Sequence, residues 1–125
     1  MIVGIGLDLA EVARIEQAME RFGARFLERC FTSGERRICL SRPRPASALA
    51  MRFAAKEAFS KAAGLGMRGL AWREIEVVHD PRGKPSLVLH GRALAWMRAN
   101  QVSCSHLSLT DEGGFAAAVV VLEKS

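Results

Sequence analysis

An α+β fold is predicted by three features of the sequence. The chain starts with an apolar run punctuated by glycines, continues with helical apolar spacing, and gathers its other strand-like segments late. Its 125 residues, 50% hydrophobic and 25% charged, describe one soluble domain spanning residues 1–125. A chain of this length buries about two-thirds of its unfolded surface, enough for a core without disulfide staples.

The elements follow in order. Residues 2–9 are short, apolar and glycine-rich, which predicts a buried strand ending at Asp8. From about Ala10 the spacing turns helical, with Val12, Ile15, Met19 and Phe22 on one stripe and Gly23 as the C-cap. Thr32-Ser-Gly-Glu35 matches a capping box, so a second helix starts near Ser33. Pro43 and Pro45 end it in a basic link. Residues 46–63 form a longer, alanine-rich helix stopped by Gly64 and Gly66. Residues 75–79 and 86–89 read as a hairpin around Asp80-Pro-Arg-Gly83, whose proline and glycine suit a tight turn. A short helix over 93–99 precedes two late strands, 105–109 and 115–122, around Asp111-Glu-Gly-Gly114.

The net charge of +5 is concentrated. Residues 14–44 hold eight arginines against four glutamates, net +4, and the rest of the chain sums to +1. Such a surface calls for an anionic partner: an acidic protein, a phosphorylated small molecule or nucleic acid. Nucleic acid is disfavoured, because no aromatics interleave the arginines, tyrosine is absent, and no helix-turn-helix or zinc pattern occurs. No apolar run is long enough to cross a bilayer, and the start of the chain has no basic leader, so no membrane partner is expected. Cys30, Cys39 and Cys104 are odd in number and far apart, as befits reduced thiols in a cytoplasmic protein.

Several residues could carry chemistry. Asp8 stands where strand gives way to helix and could be an N-cap, a metal ligand or a general base. Gly4 and Gly6 before it permit close backbone approach. In the long helix, Ala46, Leu49, Ala50, Phe53 and Ala54 form an inward face that Glu57 continues. A carboxylate there needs compensation, either by a metal or by a helical salt bridge to Lys61. Asp8 and Glu57 together suit a hard cation such as Mg²⁺, with Arg52, Lys56 and Lys61 beside them to neutralise a diphosphate. His79, His90 and His106 lack zinc-ligand spacing, and Gly4-Ile-Gly6 lacks the third glycine of a dinucleotide fingerprint. Arg14 and Arg21 share a helix face that Arg25 extends, either as a solvated surface or as a docking stripe. His106, Ser108 and Thr110 alternate along a strand and fit an edge strand with one wet face.

Two stretches carry a resemblance. Gly4-Ile-Gly-Leu-Asp-Leu-Ala-Glu-Val-Ala-Arg-Ile15 and Arg52-Phe-Ala-Ala-Lys-Glu-Ala-Phe-Ser-Lys-Ala62 resemble the two signature motifs of the holo-[acyl-carrier-protein] synthases, the small bacterial 4′-phosphopantetheinyl transferases. The likeness extends through Phe31-Thr32, Glu35, Gly83-Lys-Pro85, His106-Leu-Ser-Leu-Thr110 and the last strand. It implies the transferase fold, with a mostly antiparallel sheet packed on helices. It also implies Mg²⁺-dependent transfer of 4′-phosphopantetheine from coenzyme A to a serine of apo-acyl carrier protein, in service of fatty acid biosynthesis, with adenosine 3′,5′-bisphosphate released.

By the same resemblance Asp8 and Glu57 hold the metal, and Lys61 joins them in catalysis. Arg52, Lys56, Ser60, Lys61 and Gly64 line the diphosphate and nucleotide site. Gly83, Lys84, Pro85, His106, Ser108 and Thr110 bind coenzyme A across a subunit boundary, and Arg14, Arg21 and Arg25 dock the acidic carrier. A homotrimer with sites between subunits is implied. Asp111 departs from the pattern, since some members carry histidine there. From the residues alone, a non-catalytic basic module for an acidic protein or RNA stays open as the alternative.

Overall fold

The computed structural model describes all 125 residues. Strand β1 (Ile2–Glu11) is followed by helices α1 (Val12–Phe22), α2 (Ala24–Cys30), α3 (Ser33–Leu40) and α4 (Pro45–Ala63). A 3₁₀ turn (Trp72–Glu74) leads to β2 (Ile75–His79), β3 (Pro85–Leu89), helix α5 (Gly91–Ala99), β4 (Cys104–Glu112) and β5 (Phe115–Glu123). All strand pairings are antiparallel: β1-β5-β4 form one sheet and β2-β3 a hairpin. The expected α+β class and antiparallel sheet are present. No helix is long and apolar enough to cross a membrane.

Helix α4 lies across the inner face of the three-stranded sheet. Alternation along the strands presents Ala116, Ala118, Val120 and Leu122 of β5 inward, all essentially buried. On β1 the inward positions are Gly4, Gly6, Asp8 and Ala10. A Cβ on Gly4 would collide with the carbonyl oxygen of Ala62, and one on Gly6 with that of Ala58. These glycines therefore seat the α4 backbone against β1, and the alanines at 54, 58 and 62 complete the close contact.

This packing corrects the expectation that β1 is buried. Only one of its faces meets the helix. Ile5, Leu7 and Leu9 point the other way and are 67, 67 and 64% exposed. The strand also runs three residues past Asp8, so Asp8 pairs with Ala118 inside the sheet and is not an N-cap. Helix α1 begins at Val12, with Glu11 at the cap position making no side-chain capping bond.

Helix α4 corrects a second expectation. Its burial is not one stripe but runs almost all round, from Ala48 to Ala62, because the sheet covers one side and α1, α3 and β2 cover others. Glu57 is not in the core; it shares with Phe53 and Lys61 the row left partly open. The α1 stripe is buried only at Val12 and Ile15, and Phe22 is exposed. Gly23, at φ 55°, ends α1 and starts α2, a helix that the apolar spacing had not revealed.

The local signals otherwise act as their chemistry requires. Thr32 Oγ1 accepts from Glu35 N at 3.2 Å and Glu35 Oε1 from Thr32 N at 3.0 Å, the reciprocal capping box. Asp80 Oδ1 accepts from the amides of Arg82 and Lys84, fixing the β2–β3 turn. Strand β4 lies at the sheet edge with His106, Ser108 and Thr110 exposed on its outer face.

Candidate active site

Because Gly4 and Gly6 bring α4 onto β1, the side chains of Asp8, Glu57 and Lys61 meet at one cleft. Its volume is about 480 Å³, and Arg14, Ile15, Phe26 and Phe53 supply other walls. Lys61 does not pair with Glu57 along the helix. Its Nζ crosses to β1 and donates to Asp8 Oδ1 and to the Leu7 carbonyl, each at 3.0 Å. Asp8 is mostly buried while Lys61 is half-exposed.

Glu57 is thus left without a contacting cation. Burial pushes its carboxyl above the usual carboxylate range and the charge on Asp8 pushes the same way; Lys61 opposes both. Two carboxylates sharing one lysine leave excess negative charge in a partly closed cleft. All-oxygen donors of this kind suit a small hard cation, with room for waters and phosphate oxygens.

A second cleft of about 560 Å³ opens between α4, the link after α3, and the β2–β3 turn. Arg42, Arg44, Arg52, His79 and Gly83 line it. Arg52 is buried; its Nη1 donates to Ala48 O at 3.1 Å and its Nη2 lies 3.4 Å from His79 Nδ1. Its Nε is buried with no acceptor, which suits an anion as the missing partner. Burial first, then the charges of Arg52 and Arg42, hold His79 below the usual histidine range despite Asp80. The ring is therefore neutral near pH 7 and can accept from Arg52 at Nδ1.

Lys56 and Ser60, expected among the phosphate contacts, are fully buried elsewhere. Lys56 Nζ donates to Glu35 Oε1 at 2.8 Å and to the carbonyls of Trp72 and Ile75, so its three protons are all engaged. Ser60 Oγ donates to the Glu57 carbonyl at 2.8 Å. Both corrections have one cause: α4 is enclosed, so its polar residues find protein partners. Gly64 adopts φ 75° as the C-cap of α4, its amide donating to Lys61 O.

The arginines divide. Arg14 lines the carboxylate cleft. Arg21 sits over the Phe22 ring, 5.2 Å from its centroid. Arg25, on α2, borders a neighbouring apolar cleft with Phe22, Phe26, Phe53 and Trp72. The rings of Phe53 and Trp72 stack at 4.6 Å, so aromatic surface runs on from the carboxylates. His106, Ser108 and Thr110 stay apart from the cleft in one chain, on the outer face of the sheet that also carries Ile5, Leu7 and Leu9, with β5 between the two sets. Gly83 reaches the arginine cleft, while Lys84 is exposed and Pro85 starts β3. Asp111 borders the same cleft.

Sequence spacing does not mark Arg42, Arg44 or His79 as site residues. The basic, proline-broken link at 41–45 was the available signal for the two arginines; nothing local marked His79.

A fold of this shape carrying paired carboxylates and a nearby arginine cleft has close counterparts. Residues 4–120 match the 4′-phosphopantetheinyl transferase superfamily. The chain belongs to that superfamily, within its holo-[acyl-carrier-protein] synthases. It is 44% identical over 125 residues to a holo-[acyl-carrier-protein] synthase of Geobacter sulfurreducens, the alignment covering 99% of each chain. It superposes on the crystal structure of the Neisseria meningitidis enzyme with a TM-score of 0.91, at 41% identity over 99% of this chain and all of that one. A Bacillus anthracis synthase solved in complex with CoA (3′,5′-ADP) gives a TM-score of 0.82 at 40% identity, covering all of this chain and 99% of that one.

Proposed function

We propose that this chain transfers the 4′-phosphopantetheine arm of coenzyme A to a serine of apo-acyl carrier protein, in the cytoplasm and in service of fatty acid biosynthesis, with Mg²⁺ held by Asp8 and Glu57. The observation that carries the reading is the convergence of these carboxylates in one cleft, where Lys61 pairs with Asp8 and Glu57 makes no ion pair. The relatives' shared activity and the coenzyme A complexes among them support the substrates. Three unpaired cysteines accord with a reducing compartment.

The bound cation would neutralise charge on the diphosphate and on the departing bisphosphate. Lys61 holds Asp8 in position and adds positive charge where the diphosphate would lie. Arg52, with Arg42 and Arg44, offers donors to the nucleotide phosphates, and the buried Nε of Arg52 gains its acceptor there. In the transfer, the serine oxygen forms the new P–O bond as the diphosphate bridge breaks, and adenosine 3′,5′-bisphosphate leaves. The serine's proton passes to Glu57 or to a water beside it. Arg14 borders the carboxylate cleft, Arg25 the aromatic cleft, and Arg21 sits over Phe22 at the rim of the latter; together they receive the acidic carrier.

The working unit in this proposal is a homotrimer. The outer sheet face leaves Ile5, Leu7, Leu9 and Phe115 exposed, which water does not favour and a second subunit would cover. His106, Ser108 and Thr110 then complete a neighbour's coenzyme A site, together with Gly83, Lys84 and Pro85.

The test is mass spectrometry of an apo-carrier protein after mixing with coenzyme A, Mg²⁺ and this protein. A mass gain of one phosphopantetheine is expected, dependent on Mg²⁺. An unmodified carrier under conditions where a related synthase modifies it would overturn the proposal.

A further inference from the structure

Cys104, His106 and Glu123 form a cluster that lies outside both clefts of its own chain, although His106 is also among the residues proposed to reach a neighbour's coenzyme A. They meet where β4 begins and β5 ends, on the outer face of the sheet: Cys104 pairs with Glu123 across the ladder, and His106 lies two residues along the same face. Three different ligand atoms converge. Cys104 Sγ lies 3.6 Å from His106 Nε2 and 3.4 Å from Glu123 Oε1, and His106 Nε2 lies 2.9 Å from the same oxygen. All are within one metal ion's reach of one another.

The triangle can be compared with coordination geometry. A tetrahedral zinc with Zn–S of about 2.3 Å and Zn–N and Zn–O of about 2.0 Å has S···N and S···O edges of about 3.5 Å and an N···O edge of about 3.3 Å. The two sulfur edges agree to within ~0.1 Å by that arithmetic, and the shorter N···O edge is a hydrogen bond that a metal would open slightly. Antiparallel pairing already fixes the three backbones, so little ordering is needed on binding.

We propose that Cys104, His106 and Glu123 form a site for a borderline divalent cation of the zinc type, with three protein ligands and a fourth position open. Sulfur and imidazole donors select zinc, cobalt or nickel over magnesium, whereas the Asp8–Glu57 cleft offers only oxygen. The two sites therefore sort metals by ligand chemistry. On binding, the Cys104 thiol gives up its proton to solvent and sulfur coordinates as thiolate. The ion ties the first turn of β4's ladder to the last of β5, and it withdraws His106 Nε2 from any other contact.

Cobalt reports the test directly. Untagged, chelator-stripped protein is kept reduced with a phosphine, supplied with excess Mg²⁺ to fill the carboxylate cleft, and titrated with Co²⁺. A near-ultraviolet sulfur-to-cobalt charge-transfer band should saturate at one ion per chain and be bleached by Zn²⁺. Cobalt in an all-oxygen site gives no such band, so the two clefts are distinguished. Cys104→Ser, a near-isosteric change at a position exposed in the single chain, should abolish the band, and Glu123→Gln should weaken Co²⁺ binding at least tenfold. Micromolar Zn²⁺ should raise the Tm of the unsubstituted protein and leave that of Cys104→Ser unmoved. The proposal is overturned by absence of the band in the unsubstituted protein. It is equally overturned by a band of equal strength in Cys104→Ser, which would assign it to Cys30 or Cys39, or by unchanged affinity in Glu123→Gln.

Discussion

Asp8 and Glu57 differ by what surrounds them more than by what they are. Asp8 is held by Lys61, while Glu57, partly buried and facing another carboxylate, makes no ion pair and feels Lys61 only at a distance. In the proposed metal site, neutralising either would remove a ligand without opening a cavity, so Asp8→Asn and Glu57→Gln should each lose most turnover, on the order of a hundredfold or more, at unchanged Tm. Near-normal rates at saturating Mg²⁺ would remove that residue from the metal site. Glu57 stood out in the sequence because a carboxylate on a mostly apolar helix row is anomalous, whereas Asp8 before a helix read equally well as an ordinary N-cap, and only the fold brings the two into one cleft. Lys56 was not legible. Its partners Glu35, Trp72 and Ile75 lie 16 to 21 residues away, and no local spacing marks a cation that the fold will enclose. Cys39 gives the residue scale a pH signature. Burial pushes its thiol from 9.0 up to about 11, although Arg52 opposes. Between those values the folded chain keeps a proton that the unfolded chain has released, so stability falls as pH rises through that window. Urea unfolding under reductant, compared at about pH 8 and about pH 10, should show a loss that is smaller in Cys39→Ala. Equal losses in both proteins would refute the assignment.

At the scale of elements, the site depends on how closely a helix can lie on a strand. The carbonyls of Ala58 and Ala62 occupy the space that side chains at Gly6 and Gly4 would need. Gly6→Ala must therefore push α4 away from β1, with Asp8 and Glu57 moving apart, and should cost several kcal/mol, about 2–4, together with activity. Thermal melts and turnover would check this, and a fully stable, active Gly6→Ala would contradict the contact. A second joint ties α3, α4 and β2. Glu35 accepts from Thr32 N, Lys56 Nζ and Val77 N, all in the interior. Lys56→Met would leave that carboxylate buried without its cation, at a cost of about 3–5 kcal/mol. Glycine spacing, the capping box and the Asp80 turn were readable because each is a local conformational demand. Helix α2 was not, because its seven residues are too few to establish a periodicity. Nor was the exposure of β1, since an apolar run reads alike whether one face or both are covered.

For the whole molecule, the outer sheet face is the feature one chain leaves unresolved. Along register rows, Val119 stands between Leu7 and Ser108, and Ala117 between Leu9 and Thr110, so an apolar stripe on β1 and β5 runs next to a polar one on β4. The sequence held both patterns, but only the ladder puts them side by side, because register between strands a hundred residues apart is not a local property. Burying an exposed aliphatic side chain of this size is worth roughly 1.5–3 kcal/mol, and Ile5, Leu7 and Leu9 are each about two-thirds exposed. Three copies of such a face meeting around an axis hide it without an open edge, and a closed cyclic arrangement gives one shared site per interface. Leu7→Glu would put a carboxylate in the middle of that interface while leaving the inner face, which faces α4, untouched. If the proposed trimer forms, the expected effect is a shift from trimer to monomer by light scattering, a retained circular dichroism spectrum, and loss of most transfer activity, because Ser108 and Thr110 would no longer reach a neighbour's cleft. The shared site can be checked in the intact assembly by mixing Glu57→Gln chains with chains substituted at both Ser108 and Thr110, then dissociating and re-annealing. Some interfaces should then unite two intact halves and return part of the activity. Folded variants that exchange subunits without any recovery, or a Leu7→Glu monomer with full turnover, would mean that each chain carries its site alone.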